Sequence, residues 1–331
     1  MAKNLDKEGL KSIVGNYDIF YIDLWGVVHN GINLHKKAIQ ALEEISKAKK
    51  NYVLLTNAPR PNKTVQLFLE KMGMNKNIRE KVYSSGEAAV RYLKMNYLDE
   101  KFYHIGPPRD FDLFLDFKKN KINNIYESKY LLCTGLFEEQ DEDLNYYKEL
   151  FKDHVNKKMI CTNPDLIVDR GNKRELCAGS VALIFEKMGG KVVYFGKPYP
   201  EVYNQSIDNK GKKVLAIGDN LNTDIKGANL LNYDSLIISN GIHKNEINKQ
   251  GVEIVSKKYE AIVNFIQTEF KWWKMKLYKD FNISNSHKNS IILIGNFDGV
   301  HLGHQKLFKL ANRYKKKFKL NIGVLTFEPI P

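Results

Sequence analysis

Several side chains in this sequence have types and positions suited to phosphoryl chemistry, beginning with Asp23. Asp23 ends an apolar run over residues 18–23, and a carboxylate at the tip of a strand can attack phosphorus or bind a metal ion. Thr56 and Asn57 end a second apolar run, over residues 52–56, where a hydroxyl and backbone N–H groups could hold a phosphoryl oxygen. These residue types suit the reacting end of a phosphorylated compound.

Complementary cationic and acidic side chains occur later in the chain. Lys197 follows a strand-like run and precedes a helical pattern, so its ammonium could neutralise phosphate charge. Asp219 and Asp224 bracket a loop that also contains Asn220, and hard oxygen ligands in such a loop suit Mg²⁺. Taken singly, each type has a commoner structural role, since a strand-end Asp often caps a helix and a Lys is usually solvated.

Strand-like runs and amphipathic helical patterns alternate along the chain and predict the elements that position these residues. Ile39, Leu42 and Ile45, for example, recur on one helical face between two strand-like runs. This alternation is typical of α/β proteins with parallel sheets. Ligands of open α/β sheets bind beyond the carboxyl ends of the strands, where we expect all these residues to meet.

Together and in this order, these segments resemble the haloacid dehalogenase superfamily. The segments that carry the resemblance are IDLWGVVHNG from Ile22, LLTNAPR from Leu54, GKPYPEVY from Gly196 and IGDNLNTDIKGA from Ile217. With NPDLIVDRGNKRELCAGSVA from Asn163, they are similar to the class IIA branch, the NagD or para-nitrophenylphosphatase type. The resemblance implies an α/β fold with a Rossmann-like core at residues 1–61 and 191–270, and an inserted α/β cap of the C2 type at residues 62–190.

The resemblance also implies roles for the residues that match its motifs. Asp23 would be the nucleophile that forms an aspartyl-phosphate, while Thr56 and Lys197 would hold the transferring phosphoryl group. The implied Mg²⁺ site consists of Asp23, the backbone carbonyl of Trp25, Asp219 and Asp224. Such a site agrees with the physics of phosphoryl transfer, which depends on positioning and on neutralisation of charge.

The sequence departs from the superfamily pattern at Trp25. The usual first motif has a second Asp there, which protonates the leaving oxygen and later activates water. Loss of a positioned acid/base costs about 10²–10⁴-fold in rate. Three interpretations follow: a slow phosphatase or one whose leaving group needs no proton, proton transfer by His29, or an inactive binding module that kept the fold.

The insert is expected to close over the site and to recognise the substrate. Arg60, Arg109 and Arg170 are candidates to contact a phosphorylated substrate, together with Asn57 and Asn220 from the core motifs. For any one of these arginines, an ion pair on the protein surface is the commoner role. The substrate class that this pattern indicates is a small phosphorylated metabolite.

A second group of residues lies near the end of the sequence. Residues 291–331 begin with a strand-like run, continue through HLGH to a helical pattern, and end in a second run. The helical pattern predicts a buried stripe that consists of Leu307, Leu310, Ala311, Tyr314 and Phe318. Two histidines at i, i+3 near a helix N-terminus could hold nucleotide phosphates, and a metal is the alternative ligand.

This segment closely resembles the start of bacterial FAD synthetase, the bifunctional riboflavin kinase/FMN adenylyltransferase, through GNFDGVHLGHQ and TFEPIP. The resemblance implies contact with ATP and FMN by a set of residues: Gly295, Asn296, Phe297, Asp298, His301, Gly303 and His304. Residues 271–288 are predicted to be a junction and residues 289–331 a partial domain, a truncated nucleotidyltransferase-like βαβ unit. FMN adenylyltransferase activity is therefore the alternative function, and fusion to a flavin enzyme suggests a riboflavin-pathway substrate for the phosphohydrolase.

Composition bounds the class of protein. The 331 residues carry a net charge of +14 and 43 % hydrophobic residues, enough apolar side chain for real cores. The basic residues are dispersed and accompany no nucleic-acid motif, so neither nucleic acid nor membrane is an expected partner. Three widely spaced cysteines and a polar N-terminus favour a cytoplasmic protein, and a homodimer is an open possibility.

Overall fold

The fold is described from a computed structural model that covers residues 2–140, 143–170, 173–272, 282–295 and 302–326, without the side chains at positions 169, 170, 173 and 286. The chain divides into two compact units, residues 1–274 and residues 275–331. No helix in this part of the chain is both long and apolar enough to cross a membrane.

Over these ranges, the strands are β1 (Lys3–Asn4), β2 (Ile19–Ile22), β3 (Asn51–Thr56), β4 (Val82–Ser84), β5 (Phe102–Ile105), β6 (Lys121–Ile122), β7 (Tyr130–Cys133), β8 (Lys158–Cys161), β9 (Ile167–Arg170), β10 (Lys173–Leu176), β11 (Lys191–Tyr194), β12 (Val214–Gly218), β13 (Asp234–Ile238), β14 (Phe265–Gln267), β15 (Ser290–Ile294) and β16 (Asn321–Leu325). The α-helices are α1 (Lys36–Lys47), α2 (Asn62–Lys71), α3 (Lys76–Arg79), α4 (Ser85–Asn96), α5 (Leu144–Phe151), α6 (Ala178–Lys187), α7 (Pro200–Ser206), α8 (Lys226–Leu230), α9 (Lys244–Gln250), α10 (Val252–Lys258), α11 (Asn285–Lys288) and α12 (Leu302–Phe318). A longer 3₁₀ segment spans Pro108–Asn120, and a wide helical turn spans Leu221–Ile225.

A seven-stranded parallel sheet forms the centre of the first unit, in the order β1-β14-β13-β12-β2-β3-β4. Every residue of β2 is buried, as a central strand covered on both faces requires. Phe20 and Ile22 pack into one apolar cluster, with Leu42 of α1. Ile19 and Tyr21 point into the opposite cluster. The alternation along β2 therefore anchors Asp23 at the carboxyl edge of a rigid layer.

A second parallel sheet, in the order β11-β8-β7-β5-β6, belongs to the same unit. Helices α5 and α6 cover one face of it through Phe151 and Phe185, whose rings lie 5.1 Å apart. The β9–β10 hairpin is antiparallel and connects β8 to α6. The parallel α/β architecture and Rossmann-like core predicted from the sequence are confirmed.

The two sheets are divided at positions that differ from the predicted limits of the insert. β4 pairs with β3, so residues 62–84 lie with the first sheet and not with the insert that was expected to begin at residue 62. β11 pairs with β8, so residues 191–194 lie in the second sheet, although the core was expected to resume at residue 191. Apolar runs identify strands but do not identify the neighbour that each strand will pair with.

The segment after β14 closes the first unit. Phe270 and Trp272 are buried in the same apolar cluster as Leu5 and Leu10. The backbone N–H of Leu10 donates to the carbonyl of Lys271 at 3.1 Å. The junction predicted at residues 271–288 therefore begins too early, because Lys271 and Trp272 are part of the core.

The second unit contains a parallel βαβ arrangement, in which β15 pairs with β16 and α12 connects them. Ala311 is buried, as the helical pattern predicts. The other members of the predicted stripe are exposed by 43 to 53 % of their surface: Leu307, Leu310, Tyr314 and Phe318. The prediction that they are buried is wrong because two short strands offer too little apolar surface to cover a 17-residue helix.

Candidate active site

Three buried aspartates converge at the carboxyl edge of the first sheet. Asp23 follows β2, while Asp219 and Asp224 follow the adjacent β12. Each offers one carboxylate oxygen, and these three atoms lie within 4.8 Å of one another. Adjacent parallel strands that end at one edge bring together residues almost 200 positions apart in the sequence.

Lys197 completes this cluster from the loop between β11 and α7. Its Nζ lies 2.5 Å from Asp23 Oδ1 and 2.6 Å from Asp224 Oδ1. Asn57 fixes the backbone of Lys197, because its amide accepts from the Lys197 N–H at 2.7 Å and donates to the Lys197 carbonyl at 3.0 Å. The ammonium is therefore held in place by both its charge partners and its own backbone.

Burial controls the protonation of the cluster. It raises the pKa of Asp23 well above the ordinary value, against the opposing effect of the Lys197 ammonium. Burial, reinforced by the nearby Asp224 carboxylate, raises the pKa of Asp219 to about 7. Burial alone would lower the pKa of Lys197, but Asp224 and Asp23 together raise it. This concentration of negative charge, with one ammonium, favours a bound cation.

Two glycines leave space around the Asp219 carboxylate. A Cβ added at Gly26 would lie 2.1 Å from Asp219 Oδ2, and one at Gly241 would lie 2.0 Å from the same oxygen. Gly26 also has a φ of +83°, a conformation that side chains rarely adopt. The Asp219 oxygen accepts the Ile242 N–H at 3.0 Å. Both glycines are thus required by the close approach of backbone to this carboxylate.

Thr56 and Asn220 occupy the edges of the cluster. Thr56 is buried at the end of β3, and its Oγ1 accepts the Ala58 N–H at 3.3 Å. The Asn220 side chain accepts the N–H of Asn222 and caps the helical turn at Leu221–Ile225. Both residues line the cleft described below.

Trp25 and His29 form an aromatic wall beside Asp23. Their rings lie 5.2 Å apart at 72°, and the His29 ring also contacts Phe68 at 5.8 Å. His29 Nδ1 accepts the N–H of Gly31 at 3.0 Å. Burial lowers the pKa of His29 to about 4, so this imidazole is neutral at physiological pH. A neutral ring with one nitrogen already occupied is poorly suited to protonate the leaving oxygen in place of the missing Asp.

A cleft of about 1270 Å³ opens above the aspartates. Its walls come from both sheets of the first unit, and they include Arg60, Asp110 and Asp165. Arg60 Nε lies 2.9 Å from Asp112 Oδ1, and its Nη1 lies 3.5 Å from Asp110 Oδ1. Arg60 thus joins the loop after β3 to the segment Pro108–Asn120, in addition to lining the cleft. The side chain of Arg170, at the end of β9, lies outside the described residues.

Two cleft carboxylates were not among the predicted site residues. Asp165 accepts the Asn57 amide at 3.0 Å, and burial raises its pKa to about 6 although Lys197 opposes the shift. Burial likewise raises the pKa of Asp110 to about 6, against the effect of Arg60. Asp165 stands in the NPD segment that contributed to the resemblance, so that motif was the available signal. Asp110 follows Arg109 in IGPPRD and had no comparable signal.

In the second unit, only part of the predicted nucleotide-binding set lies within the described residues. The Gly295 N–H donates to the Leu325 carbonyl at 3.1 Å, at the end of the β15–β16 pair. Gly303 and His304 lie in the first turn of α12. The remaining predicted residues lie outside the described part of the chain: Asn296, Phe297, Asp298 and His301.

Known sequence families match two segments of the first unit and one segment of the second unit. Residues 20–117 match a family described as haloacid dehalogenase-like hydrolase, and residues 194–261 match one described as HAD-hydrolase-like. Residues 283–331 match the FAD synthetase family.

The first unit is similar to solved structures and to curated proteins. A haloacid dehalogenase-like hydrolase from Brucella suis 1330 is 31 % identical, with a TM-score of 0.65 over 71 % of this chain and 90 % of its own. A p-nitrophenyl phosphatase from Archaeoglobus fulgidus shares the fold, with a TM-score of 0.61 at 16 % identity over 77 % of this chain and 97 % of its own. Phosphoglycolate phosphatase 2 of Arabidopsis thaliana is 24 % identical over 296 residues, covering 79 % of this chain and 96 % of that protein.

Similarity in the second unit is strong but short. A bifunctional riboflavin kinase/FMN adenylyltransferase of Buchnera aphidicola is 52 % identical over 50 residues, which are 15 % of this chain. The match spans only 16 % of that protein's length.

Proposed function

The chain belongs to the haloacid dehalogenase-like hydrolase family, and from this premise we propose that its first unit is a Mg²⁺-dependent phosphatase for a small phosphorylated metabolite. The observation that carries the proposal is the convergence of Asp23, Asp219, Asp224 and Lys197 at one strand edge below a cleft. Three carboxylates and one ammonium supply a nucleophile, cation ligands and compensation for phosphate charge in a single buried place.

In the proposed reaction, Asp23 attacks the phosphorus atom and displaces the leaving group, so that an aspartyl-phosphate forms. Lys197 neutralises charge on the phosphoryl oxygens, and Asp224 keeps the ammonium oriented. The Thr56 hydroxyl and the backbone that follows it are placed to hold a phosphoryl oxygen. Water then attacks the phosphorus of the intermediate, and the Asp23 carboxylate is regenerated.

The donor set fits Mg²⁺. Asp23, Asp219 and Asp224 would hold the cation, with the backbone carbonyl of Trp25 as a further oxygen ligand, and all of these are hard oxygen donors. The glycines at 26 and 241 let the backbone pass the Asp219 carboxylate without a Cβ that would displace it. When bound, the cation would polarise the phosphoryl group and lessen repulsion between substrate and Asp23.

We further propose that the second sheet and its helices act as a cap over this site. The cleft walls come from both sheets, and Arg60 ties the core loop to the segment Pro108–Asn120. A cap of this kind would exclude water from the site and would contact the part of the substrate beyond its phosphate, and so select the substrate.

Release of phosphate from a panel of phosphorylated metabolites, with Mg²⁺ and then with EDTA, tests the proposal. We expect Mg²⁺-dependent turnover that Asp23→Asn abolishes, and trapping of beryllofluoride on the wild-type protein only. Binding of phosphorylated ligands without turnover or trapping would favour the inactive binding module instead.

The substrate itself is proposed from two directions. The curated relative from Arabidopsis thaliana is named a phosphoglycolate phosphatase, and the matched FAD synthetase family at residues 283–331 points to riboflavin-precursor phosphates or FMN. The panel should therefore include 2-phosphoglycolate and flavin-pathway phosphates. Turnover of other phosphates without flavin-pathway phosphates would exclude the riboflavin link.

FMN adenylyltransferase activity is a second candidate, favoured by the 52 % identity to the Buchnera aphidicola enzyme over 50 residues. ATP and FMN would be the ligands of the segment that contains Gly295 and His304. Calorimetric titration of the chain with ATP and FMN, and an assay for FAD, test it. Formation of FAD that His304→Ala abolishes would establish this activity, whereas absence of both binding and FAD would reject it.

A further inference from the structure

The indole of Trp25 occupies a fixed place on the cleft wall, two residues after Asp23. It packs edge to face on His29, and a Cβ added at Gly31 would lie 2.6 Å from its ring. The chain at Gly31 therefore approaches the indole too closely for any side chain to come between them. An indole N–H donates hydrogen bonds but does not exchange its proton in the physiological range.

Three basic side chains that line the same cleft as Trp25 are engaged in other contacts. Lys197 holds Asp23 and Asp224 at 2.5 and 2.6 Å. His29 accepts the Gly31 N–H through Nδ1 and lies between the rings of Trp25 and Phe68. Arg60 pairs with the acidic residues of the segment Pro108–Asn120. The wall beside the nucleophile is thus aromatic, whereas a conventional site would present a carboxyl group there.

We propose that this site hydrolyses phosphates whose bridging oxygen is attached to an sp² carbon, namely aryl, enol and acyl phosphates. Such leaving groups depart as stabilised anions and need no proton from the protein. They are also planar at that sp² carbon, and the aromatic side chains of Trp25 and Phe68 line the cleft that would receive them. This inference rests on the proposed phosphatase function and specifies its substrate class.

Each step balances without a proton donor on the protein. An Asp23 carboxylate oxygen forms a bond to phosphorus while the P–O bond to the leaving group breaks, and the electron pair leaves on the phenolate, enolate or carboxylate oxygen. Water then forms a P–O bond as the bond between phosphorus and the Asp23 oxygen breaks. Both hydrogens of that water leave with inorganic phosphate, and Asp23 returns as a carboxylate.

Two carboxyl groups that line the same cleft offer the competing explanation: Asp110, which is paired with Arg60, and Asp165. The Asp165 Oδ1 accepts the Asn57 amide, and Asn57 in turn holds the backbone of Lys197. If either group protonated leaving groups, alkyl phosphates would be hydrolysed about as fast as aryl phosphates, and their rate would fall selectively in Asp165→Asn or in Asp110→Asn. The two explanations therefore predict opposite leaving-group dependences.

The experiment measures kcat/KM with Mg²⁺ for 4-nitrophenyl phosphate, phenyl phosphate, acetyl phosphate and glycerol 3-phosphate. We expect the wild-type rate to fall by about 10²–10⁴-fold from the aryl and acyl compounds to the alkyl ester, the size of a missing general acid. Equal values of kcat/KM across the series in the wild type would overturn the proposal. A loss of alkyl phosphate hydrolysis confined to Asp165→Asn or Asp110→Asn would then identify the carboxyl group that donates the proton.

Trp25→Asp and Trp25→Asn are the matched variants, since only the first restores a carboxyl group. We expect the ratio of alkyl to aryl rates to rise about 10²-fold or more in Trp25→Asp and to remain low in Trp25→Asn. Because the ratio is taken within each variant, partial loss of folded protein cancels, and the wild-type series decides the matter should Trp25→Asp not fold. Absence of any hydrolysis in wild type and both variants would reject the phosphatase function itself and the substrate class with it.

Discussion

At the scale of single residues, Asp219 shows how closely the backbone surrounds the proposed cation site. Gly26 and Gly241 approach its Oδ2 from two sides, and the Ile242 N–H donates to the same oxygen. The site therefore depends on residues that have no chemistry of their own. A change at either glycine would act on function through the position of one carboxylate.

Gly26→Ala should abolish Mg²⁺-dependent activity, because its Cβ would overlap the Asp219 carboxylate while the backbone at φ +83° adds about 1 kcal/mol of strain. Gly73→Ala is the matched control, since Gly73 has a φ of +86° but nothing within 4 Å of the added Cβ. We expect both variants to lose stability in urea unfolding, but only Gly26→Ala to lose turnover and stabilisation by Mg²⁺. Equal activity of the two variants would contradict this account of the site.

The pKa of Asp219 predicts a pH dependence of stability. Because this pKa is raised to about 7 in the folded protein, from 3.8, the folded state binds more protons than the unfolded state between these values. Stability from this group is therefore full at low pH and is lost as the pH rises through about 7. Urea unfolding in EDTA measures this effect. From pH 5.5 to pH 8, the free energy of unfolding should fall by about 1–3 kcal/mol more in the wild type than in Asp219→Asn.

The same group predicts how metal affinity changes with pH. A carboxylate must be ionised to bind a cation, so the apparent affinity for Mg²⁺ should rise from pH 5.5 to pH 8 with release of protons. Calorimetry in buffers of different ionisation enthalpy measures both quantities. An affinity that is independent of pH would show that Asp219 is ionised before the metal arrives.

The sequence predicted the residues with the strongest chemical signal and missed those whose role depends on packing. Asp23, Asp219, Asp224 and Lys197 stand at strand ends within motifs, and the structure brings them together. Asp165 and Asp110 enter the cleft from the second sheet, and a spacing pattern does not show which cap residues will face the core. Arg60 was predicted to contact substrate, and its ion pairs with Asp110 and Asp112 are visible only in three dimensions.

At the scale of elements, apolar runs predicted strands well and their partners poorly. The runs expected at residues 18–23 and 214–218 correspond to β2 and β12, because uninterrupted burial on both faces leaves a clear signal. Strands as short as β6 leave none. β4 and β11 were placed on the wrong sides of the insert boundary, since pairing depends on the chain path and not on local composition.

The contact between Arg60 and the segment Pro108–Asn120 should stabilise the arrangement of the two sheets. Arg60→Met would remove the ion pair of the Asp110 carboxylate, which is only 6 % exposed. We expect a loss of about 1–3 kcal/mol in urea unfolding. Lys76→Met is the control, because its 3.6 Å pair with Glu80 has both side chains more than half exposed, lies outside the cleft lining, and should contribute less than about 1 kcal/mol.

The Arg60 variant should also change substrate binding more than chemistry if the second sheet acts as a cap. We expect a raised KM with a smaller change in kcat for Arg60→Met, and neither change for Lys76→Met, since Lys76 does not line the cleft. An Asp112→Asn change added to Arg60→Met should lower the free energy of unfolding little further, because the first change has already removed the ion pair between these two residues. Additive losses would show that they act separately.

At the scale of the whole molecule, the two units differ in how completely they cover their apolar residues. The first unit buries large aromatic residues on both faces of its first sheet, such as Phe270 on one face and Tyr203 on the other. The second unit exposes most of the apolar residues of α12. The sequence predicted that helix correctly but not its exposure, because periodicity reports which face is apolar and not whether anything covers it.

A chain ending at residue 274 should therefore retain the stability and phosphatase activity of the first unit. A chain ending at residue 268 keeps all strands of the first sheet but loses Phe270 and Trp272, which are buried in its core. Removal of one such aromatic costs about 3–5 kcal/mol, so loss of both should abolish cooperative unfolding in thermal scans. Equal melting temperatures for the two truncated chains would show that residues 269–274 do not close the core.

The pairing of β1 with β14 joins the beginning of the first unit to its end, as does the contact between Leu10 and Lys271. During synthesis on the ribosome, Leu5 and Leu10 must therefore wait for the last part of this unit before their core can form. Until then, the emerging polypeptide exposes part of the apolar cluster to which Leu5 and Leu10 belong, which makes it a target for chaperones. Translation of the segment that follows residue 272 gives the first unit time to complete its fold while it is still tethered to the ribosome.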